Sequence, residues 1–310
     1  MDRRGWTVPA RIVVRLEADS SGAPPPQTGP GVAAAVLAAV AAVDPALARR
    51  LHDDPPPKPY RLTPLLDEHH QPPRRSSQQI RFEVGILVDA LFAGFHHALS
   101  NATSWRIGTT AYQPAGIDIA ALLPYPDLAS ESAPASSWGF QLVTPCGFGT
   151  AREEGARRRR VFPEPEWVFT SLAQRWRANA PALRTADGGA FDLAGAVEAA
   201  ERNLQVVEFE LRTAEHLVKP RVPPLRGAVG TIRYALAEAA SVSMDARHAL
   251  STLAAYATYA GLGDRTTVGM GYVLPLPALG PPSGTRLAPA ATSGATRHPS
   301  GSTGRPRRSS

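Results

Sequence analysis

Cysteine and long apolar runs are both scarce in this chain. Its 310 residues include a single cysteine, Cys146, which excludes an internal disulfide framework and suits a reducing compartment. We expect Cys146 to be a small core residue. The alanine-rich run at 31–43 is too short to span a bilayer and follows a charged, strand-like segment, so it predicts neither a membrane helix nor a signal peptide. We therefore expect a cytoplasmic protein with no membrane partner.

Lysine is rare as well, because Lys58 and Lys219 are the only two and arginine supplies the other basic side chains. The formal net charge is +6 and the pI is about 9.9, values that favour nucleic-acid binding. Several arginines, however, lie in a C-terminal stretch without acidic residues, at Arg286, Arg297, Arg305, Arg307 and Arg308. The rest of the chain is close to neutral, so any nucleic-acid surface must be a local patch.

The glycine-rich stretch near the C-terminus has no Gly-Lys-Ser/Thr sequence, and it follows a helix and precedes a strand. That order is the reverse of the P-loop and Rossmann arrangements, which argues against nucleotide-triphosphate binding. Arg265 and exposed backbone N–H groups could still approach a phosphate, since glycines leave room for it: Gly261, Gly263, Gly269 and Gly271. The other interpretation is a tight connection packed on its own sheet.

Hydrophobic patterning predicts the same order of elements twice. The first copy has strands at 9–17, 58–66, 80–87 and 104–113 and helices at 31–52, bent near Pro45, and 87–99. The second has strands at 138–145, 206–211, 227–236 and 271–276 and helices at 167–178, 192–204 and 246–260. Strand, helix, two strands, helix, strand is the ferredoxin-like unit that RNA-recognition domains also use.

The fold class is therefore predicted as α+β, with tandem ferredoxin-like domains and a C-terminal glycine-rich loop. We place the first domain at 1–135 and the second at 136–278. Residues 279–310 lack periodic hydrophobicity and are predicted to form a disordered basic tail. This tail is either a solubilising extension or a non-specific RNA contact.

Two motifs resemble the CRISPR-associated RAMP superfamily, and within it the sixth Cas family of endoribonucleases, which cut precursor CRISPR RNA. The first is Gly-x-Gly-x-x-Thr-Thr-x-Gly-x-Gly from Gly261 to Gly271, after a helix ending in Tyr-Ala-x-Tyr-Ala. The second is Leu-Val-Thr-Pro at 142–145 followed by the segment at 162–172 and by Arg175-Trp176. The resemblance covers about 9–276 and is stronger in the second half.

The resemblance implies cleavage of the CRISPR repeat without a metal or cofactor: the 2′-hydroxyl attacks the scissile phosphate and leaves a cyclic phosphate and a free 5′-hydroxyl. It also implies a catalytic pair, His52 and Lys58, which are six positions apart across a proline turn and run into the second strand. Histidine can transfer the proton and lysine can stabilise the developing negative charge. Tyr60 is the only nearby candidate for a third participant. The competing role for His52 is a helix C-cap.

The implied partner is CRISPR precursor RNA, and a CRISPR effector complex is a further one; DNA is not required. The predicted RNA-binding residues are the basic run Arg157, Arg158, Arg159 and Arg160, together with Lys219, Arg265 and the four loop glycines. His69 and His70 lie beside acidic residues, but a solvated loop is favoured over a metal site because no second ligand pair follows. The sequence marks no partner for His216 or His248.

Two functions of other classes compete with the nuclease. A non-catalytic RAMP subunit would hold guide RNA inside an effector complex, and it would need a long hairpin thumb, which the sequence does not predict. A metabolic enzyme of ferredoxin-like fold would use the glycine loop for a phosphorylated small molecule.

Overall fold

The structure is a computed structural model, and it describes residues 8–18, 27–74, 77, 79–149, 159–183, 190–219 and 221–278. The chain up to Ala278 forms one compact unit. The predicted tail at 279–310 lies outside the described residues. The boundary at 135/136 stays a prediction.

The first half builds an antiparallel sheet with helices packed on it. Its elements are β1 (Ala10–Ala18), α1 (Gly29–Val43), α2 (Pro45–Asp53), β2 (Tyr60–Leu62), β3 (Ile80–Ile86), α3 (Asp89–Asn101), β4 (Trp105–Ile107), β5 (Thr110–Leu122) and α4 (Tyr125–Glu131). The strand order is β2-β3-β1-β5-β4, in which β4 is a short hairpin partner of β5. The other four strands follow the ferredoxin-like order.

The second half repeats that topology. Its elements are β6 (Ser137–Cys146), β7 (Phe148–Gly149), β8 (Arg159–Arg160), α5 (Pro165–Asn179), α6 (Leu193–Arg202), β9 (Leu204–His216), β10 (Leu225–Leu236), α7 (Met244–Ala260) and β11 (Val273–Leu276). The main sheet has the order β11-β6-β10-β9, so the fourth strand pairs with the first and the first with the third, as in the first half. The predicted tandem ferredoxin-like fold is confirmed.

The predicted bend near Pro45 divides one apolar segment into α1 and α2. Along α1, Val32, Val36 and Val40 recur every four residues and are buried. Asp44 takes an extended conformation between the helices, and its carboxylate accepts hydrogen bonds from the first N–H groups of α2 at 3.0 and 2.9 Å. Pro45 occupies the first helical position, where its missing N–H removes no helical hydrogen bond. This capped restart directs α2, and with it His52, away from the axis of α1.

Three features differ from the sequence-based expectation. The single strand expected at 104–113 is a hairpin, β4–β5, which turns at Gly108 with a φ of 65°. Helix α4 was not predicted. Strands β9 and β10 contain 13 and 12 residues, so they form a longer hairpin than the sequence indicated. Hydrophobic alternation underestimated β9 because much of its side-chain surface is exposed and polar.

Cys146 is fully buried in the core, as expected. Among the described residues, no helix combines the length and apolar character needed to cross a membrane.

Candidate functional site

The glycine-rich loop follows α7 and closes on itself through a hydrogen bond from Leu262 N to Gly271 O at 2.9 Å. Its glycines at 261, 263, 269 and 271 are all buried. Gly269 has a φ of 93°, and a Cβ there would lie 2.9 Å from the Cα of Gly29 at the start of α1. A Cβ on Gly271 would collide with the carbonyl of Leu262. The structure thus gives these glycines a packing role, and their contact with RNA remains a prediction.

A buried arginine of α5 holds the loop from beneath. Arg175 donates from Nη2 to the carbonyl of Gly263 at 2.7 Å and from Nη1 to Thr266 Oγ1 at 3.0 Å. Burial lowers the pKa of this guanidinium, and its hydrogen bonds compensate the lost hydration. Arg175 was part of the sequence signature but was not predicted to anchor the loop.

Arg159 is a second anchor of the loop. Its guanidinium forms a bidentate ion pair with Asp264 at 2.7 and 2.6 Å, and its Nε donates to the carbonyl of Arg226 at 2.6 Å. Arg159 therefore has a structural role that competes with the predicted RNA contact. Its charge is paired with that of Asp264, and its side chain is only 16% exposed. Arg157 and Arg158 lie outside the described residues.

Three of the predicted RNA-binding cations are exposed. Arg265 projects from the loop in the left-handed conformation, with a φ of 57°. Lys219 lies in the connection between β9 and β10. Arg160 stacks its guanidinium over the ring of Trp167 at 4.3 Å. These side chains remain available to phosphates, and their RNA contacts remain predictions.

His52 is exposed in the last turn of α2, and the proline turn brings Lys58 back beside it. Lys58 Nζ donates to the carbonyls of Leu51 at 2.8 Å and His52 at 2.9 Å. Partial burial lowers the pKa of Lys58, and the carboxylates of Asp54 and Asp53 act in the opposite direction. The structure therefore places the two predicted catalytic residues together.

Tyr60 does not share this exposed position. It is 3% exposed, and its ring packs on Phe95 with the centroids 5.4 Å apart. Burial raises the pKa of Tyr60 to about 12, which disfavours proton transfer from its phenol near neutral pH. The sequence suggested a third participant here, but the packing assigns the side chain to the core because β2 turns it toward α3.

The His52–Lys58 pair and the glycine loop lie near opposite ends of the β2 segment. Pro59 hydrogen-bonds to Leu87 at one end, and Pro64 packs against Gly269 at the other. The five residue steps from Pro59 to Pro64 span roughly 16 Å when the chain is extended.

A polar cluster that the sequence did not predict joins the two halves near the loop. Arg61 is buried and donates to Glu83 at 3.1 Å and to the carbonyl of Tyr259 at 3.0 Å. Tyr272 donates its hydroxyl proton to Glu83 at 2.9 Å and also contacts Nδ1 of His70 at 2.9 Å. Burial lowers the pKa of His70, and nearby Arg81 lowers it further. The solvated-loop interpretation fits exposed His69 but is wrong for His70.

Two other histidines also have partners that the sequence did not mark. His216 is 5% exposed; burial lowers its pKa, and the backbone of Val268 in the glycine loop acts in the opposite direction. His248 Nε2 lies 2.7 Å from the carbonyl of Ala129. Both contacts join residues that are far apart in the sequence, and that of His248 joins the two halves. Within the described ranges, no group of three or more His, Cys, Asp or Glu side chains is arranged to hold a metal ion.

Comparison with known proteins identifies the architecture. The family model "CRISPR-associated endoribonuclease Cas6" matches residues 140–273. A Cas6 solved as a product complex is 27% identical and superposes with a TM-score of 0.72, covering 87% of this chain and 100% of that one. Residues 140–273 thus resemble the Cas6 family, and the fold of the chain is that of solved Cas6 structures. No curated protein matches it.

Two more structures extend the Cas6 comparison. Thermus thermophilus Cas6 is 26% identical, with a TM-score of 0.64 over 87% of this chain and 99% of that chain. A second Cas6 product complex is 23% identical and shares the fold with a TM-score of 0.66, covering 86% and 99% of the two chains. The Cas6 family model begins at residue 140 and therefore does not include His52, Lys58 or Tyr60. Their roles remain predictions.

Proposed function

We propose that this chain is a metal-independent endoribonuclease that cuts the repeat RNA of precursor CRISPR transcripts. The observation that carries the proposal is the match over 87% of this chain to a Cas6 solved as a product complex. His52 is the proposed proton-transfer group, because it is exposed at the end of α2 and its backbone carbonyl accepts a hydrogen bond from Lys58. Precursor CRISPR RNA is the proposed partner, and an effector complex that receives the product belongs to the same proposal.

The reaction needs only a bound RNA and a proton carrier. The 2′-oxygen upstream of the scissile bond attacks phosphorus, the bond from phosphorus to the 5′-oxygen breaks, and the products are a 2′,3′-cyclic phosphate and a 5′-hydroxyl. The 2′-hydroxyl loses a proton and the leaving oxygen gains one, so the number of protons is unchanged. A histidine can accept the first proton or supply the second.

Positive charge near the reacting phosphate would stabilise the pentavalent transition state. The family resemblance implied Lys58 for this task, but its ammonium donates to the carbonyls of Leu51 and His52. Arg265 and Lys219 supply exposed charge elsewhere, in the glycine loop and in the connection between β9 and β10. They are suited to phosphate contacts that hold the RNA rather than to the chemistry.

A non-catalytic RNA-binding subunit is the second candidate, and two observations favour it. The β9–β10 hairpin is long, and the glycine loop lies roughly 16 Å of strand away from the His52 region. An RNA bound at the loop would have to extend over that distance to reach His52.

Incubating the purified protein with end-labelled CRISPR repeat RNA in EDTA tests the proposal. We expect one cut, with a cyclic phosphate on the upstream product that acid opens and phosphatase then removes. Binding without cleavage would support the RNA-holding subunit. Absence of both would leave the phosphorylated small molecule as the ligand class and would reject the nuclease.

A further inference from the structure

The last turn of α2 contains backbone carbonyls for which the following residues provide no N–H donor. The carbonyls of Leu51 and His52 would normally accept from the N–H groups four residues later. Those positions are Pro55 and Pro56, which have no N–H. The N–H of Asp54 does not help, because it bonds to the carbonyl of Arg50. Two carbonyls at the end that carries His52 therefore need another donor.

Lys58 supplies that donor. Its Nζ lies 2.8 Å from the carbonyl oxygen of Leu51 and 2.9 Å from that of His52. An ammonium group has three hydrogens, so two of them are engaged by the backbone. The cation also lies at the negative end of the helix dipole, where a positive charge stabilises the helix. Both interactions hold the turn from which the His52 side chain projects.

We propose that Lys58 is a positioning residue that fixes His52 by capping α2, rather than a residue that contacts the scissile phosphate. The inference rests on the proposed function, since it concerns how that reaction uses His52. It explains why a lysine follows three prolines in a chain with only two lysines. A long, flexible side chain with several donors can reach back across the turn, and the prolines make that reach necessary.

Lys58→Met tests this role because it keeps most of the aliphatic stem and removes the donors. We expect single-turnover cleavage at saturating repeat RNA to fall about 10- to 100-fold, as for a misplaced reacting group. The dependence of log Kd on log salt should stay at the wild-type slope. Lys58→Arg should recover part of the rate, because a guanidinium can also donate to both carbonyls.

Lys219→Met, which removes the only other lysine, is the matched reference for a lost phosphate contact. Its salt slope should fall by about one unit. A similar fall for Lys58→Met would place Lys58 on the RNA and overturn the proposal. A wild-type rate for Lys58→Met would overturn it as well.

Amide hydrogen exchange tests whether Lys58 caps α2, and it needs no RNA. In Lys58→Met, amides at 50–54 should exchange faster, while those of β3 keep their protection. Unchanged exchange at 50–54 would contradict the capping role. Cleavage by His52→Ala at the wild-type rate would instead reject the catalytic site, and with it the role of Lys58 in catalysis, whatever the exchange shows.

Discussion

Arg159 and Asp264 form a bidentate ion pair that joins β8 to the glycine-rich loop, with N–O distances of 2.7 and 2.6 Å. Arg265, the next residue in the loop, is exposed. Two arginines that the sequence assigned to the same RNA-binding task are therefore in different environments. Arg159 stabilises the fold through this ion pair, whereas Arg265 is exposed and can contact a phosphate.

This difference predicts opposite phenotypes for two matched substitutions. Arg159→Met should lower the melting temperature, because Asp264 would lose its partner and the carbonyl of Arg226 its donor, while the salt slope of RNA binding stays unchanged. Arg265→Met should leave the melting temperature within about 1–2 °C and lower the slope by about one unit. A reversed pattern would show that Arg159 binds RNA. Thermal melts beside binding isotherms at several salt concentrations distinguish these outcomes.

His52→Ala is expected to lower single-turnover cleavage by about 10²–10⁴-fold, because a proton-transfer group acts chiefly in the transition state. Repeat affinity should change only a few-fold. His97→Ala is the control, since His97 is another exposed histidine near a helix end. Equal cleavage by both variants would move the reaction away from α2.

Tyr60→Phe is expected to cleave within a few-fold of wild type, because the ring is a core element packed on Phe95 and its phenol is not presented with His52. Tyr60→Ala should reduce the free energy of unfolding by about 3–5 kcal/mol, the usual range for truncating a buried aromatic side chain. A stable Tyr60→Phe protein that no longer cuts RNA would restore the third participant. Chemical denaturation and the cleavage assay provide the two readouts.

Gly269→Ala should reduce the free energy of unfolding by about 1–3 kcal/mol, since the residue has a φ of 93° and its Cβ would approach the Cα of Gly29 to 2.9 Å. RNA affinity should fall only in proportion to unfolding. Gly94→Ala is the control: it lies within α3, where alanine favours the helix, and its nearest neighbour is the flexible end of Leu47. A stable Gly269→Ala protein with much weaker RNA binding would return this position to the RNA surface.

The buried histidine beneath the glycine loop predicts acid-sensitive stability. Burial lowers the pKa of His216 from 6.5, so the unfolded chain binds a proton more readily than the folded one. The contribution of neutral His216 to the free energy of unfolding is complete above pH 6.5. It decreases as the pH falls below 6.5, by at most about 1.4 kcal/mol per pH unit.

His216→Asn replaces the imidazole with a neutral polar side chain and so removes the titration. Its melting temperature should therefore fall less between pH 7 and about pH 5 than that of wild type. His69→Asn is the control, because its side chain is 79% exposed. Parallel pH profiles for wild type and His216→Asn would contradict the assignment.

The sequence by itself determined the repeated ferredoxin-like order, because alternation in strands and helical periodicity are local and each segment carries its own signal. It also predicted the break near Pro45. Asp44 caps the first N–H groups of α2 and Pro45 occupies its first position, and both effects are local. The family motifs identified the glycine loop, and the short spacing across the proline turn brought His52 and Lys58 together.

Only the tertiary structure decided what each of these side chains does. Whether an arginine is exposed, like Arg265, or paired, like Arg159, depends on contacts more than 100 residues away along the chain. The same holds for His70, which meets Tyr272 from the other half of the protein. Periodicity records which face of an element is apolar, but it does not record which distant polar group packs against that face. The polar partners, and therefore the separation of anchors from exposed cations, follow from how the two sheets and their connecting loops pack.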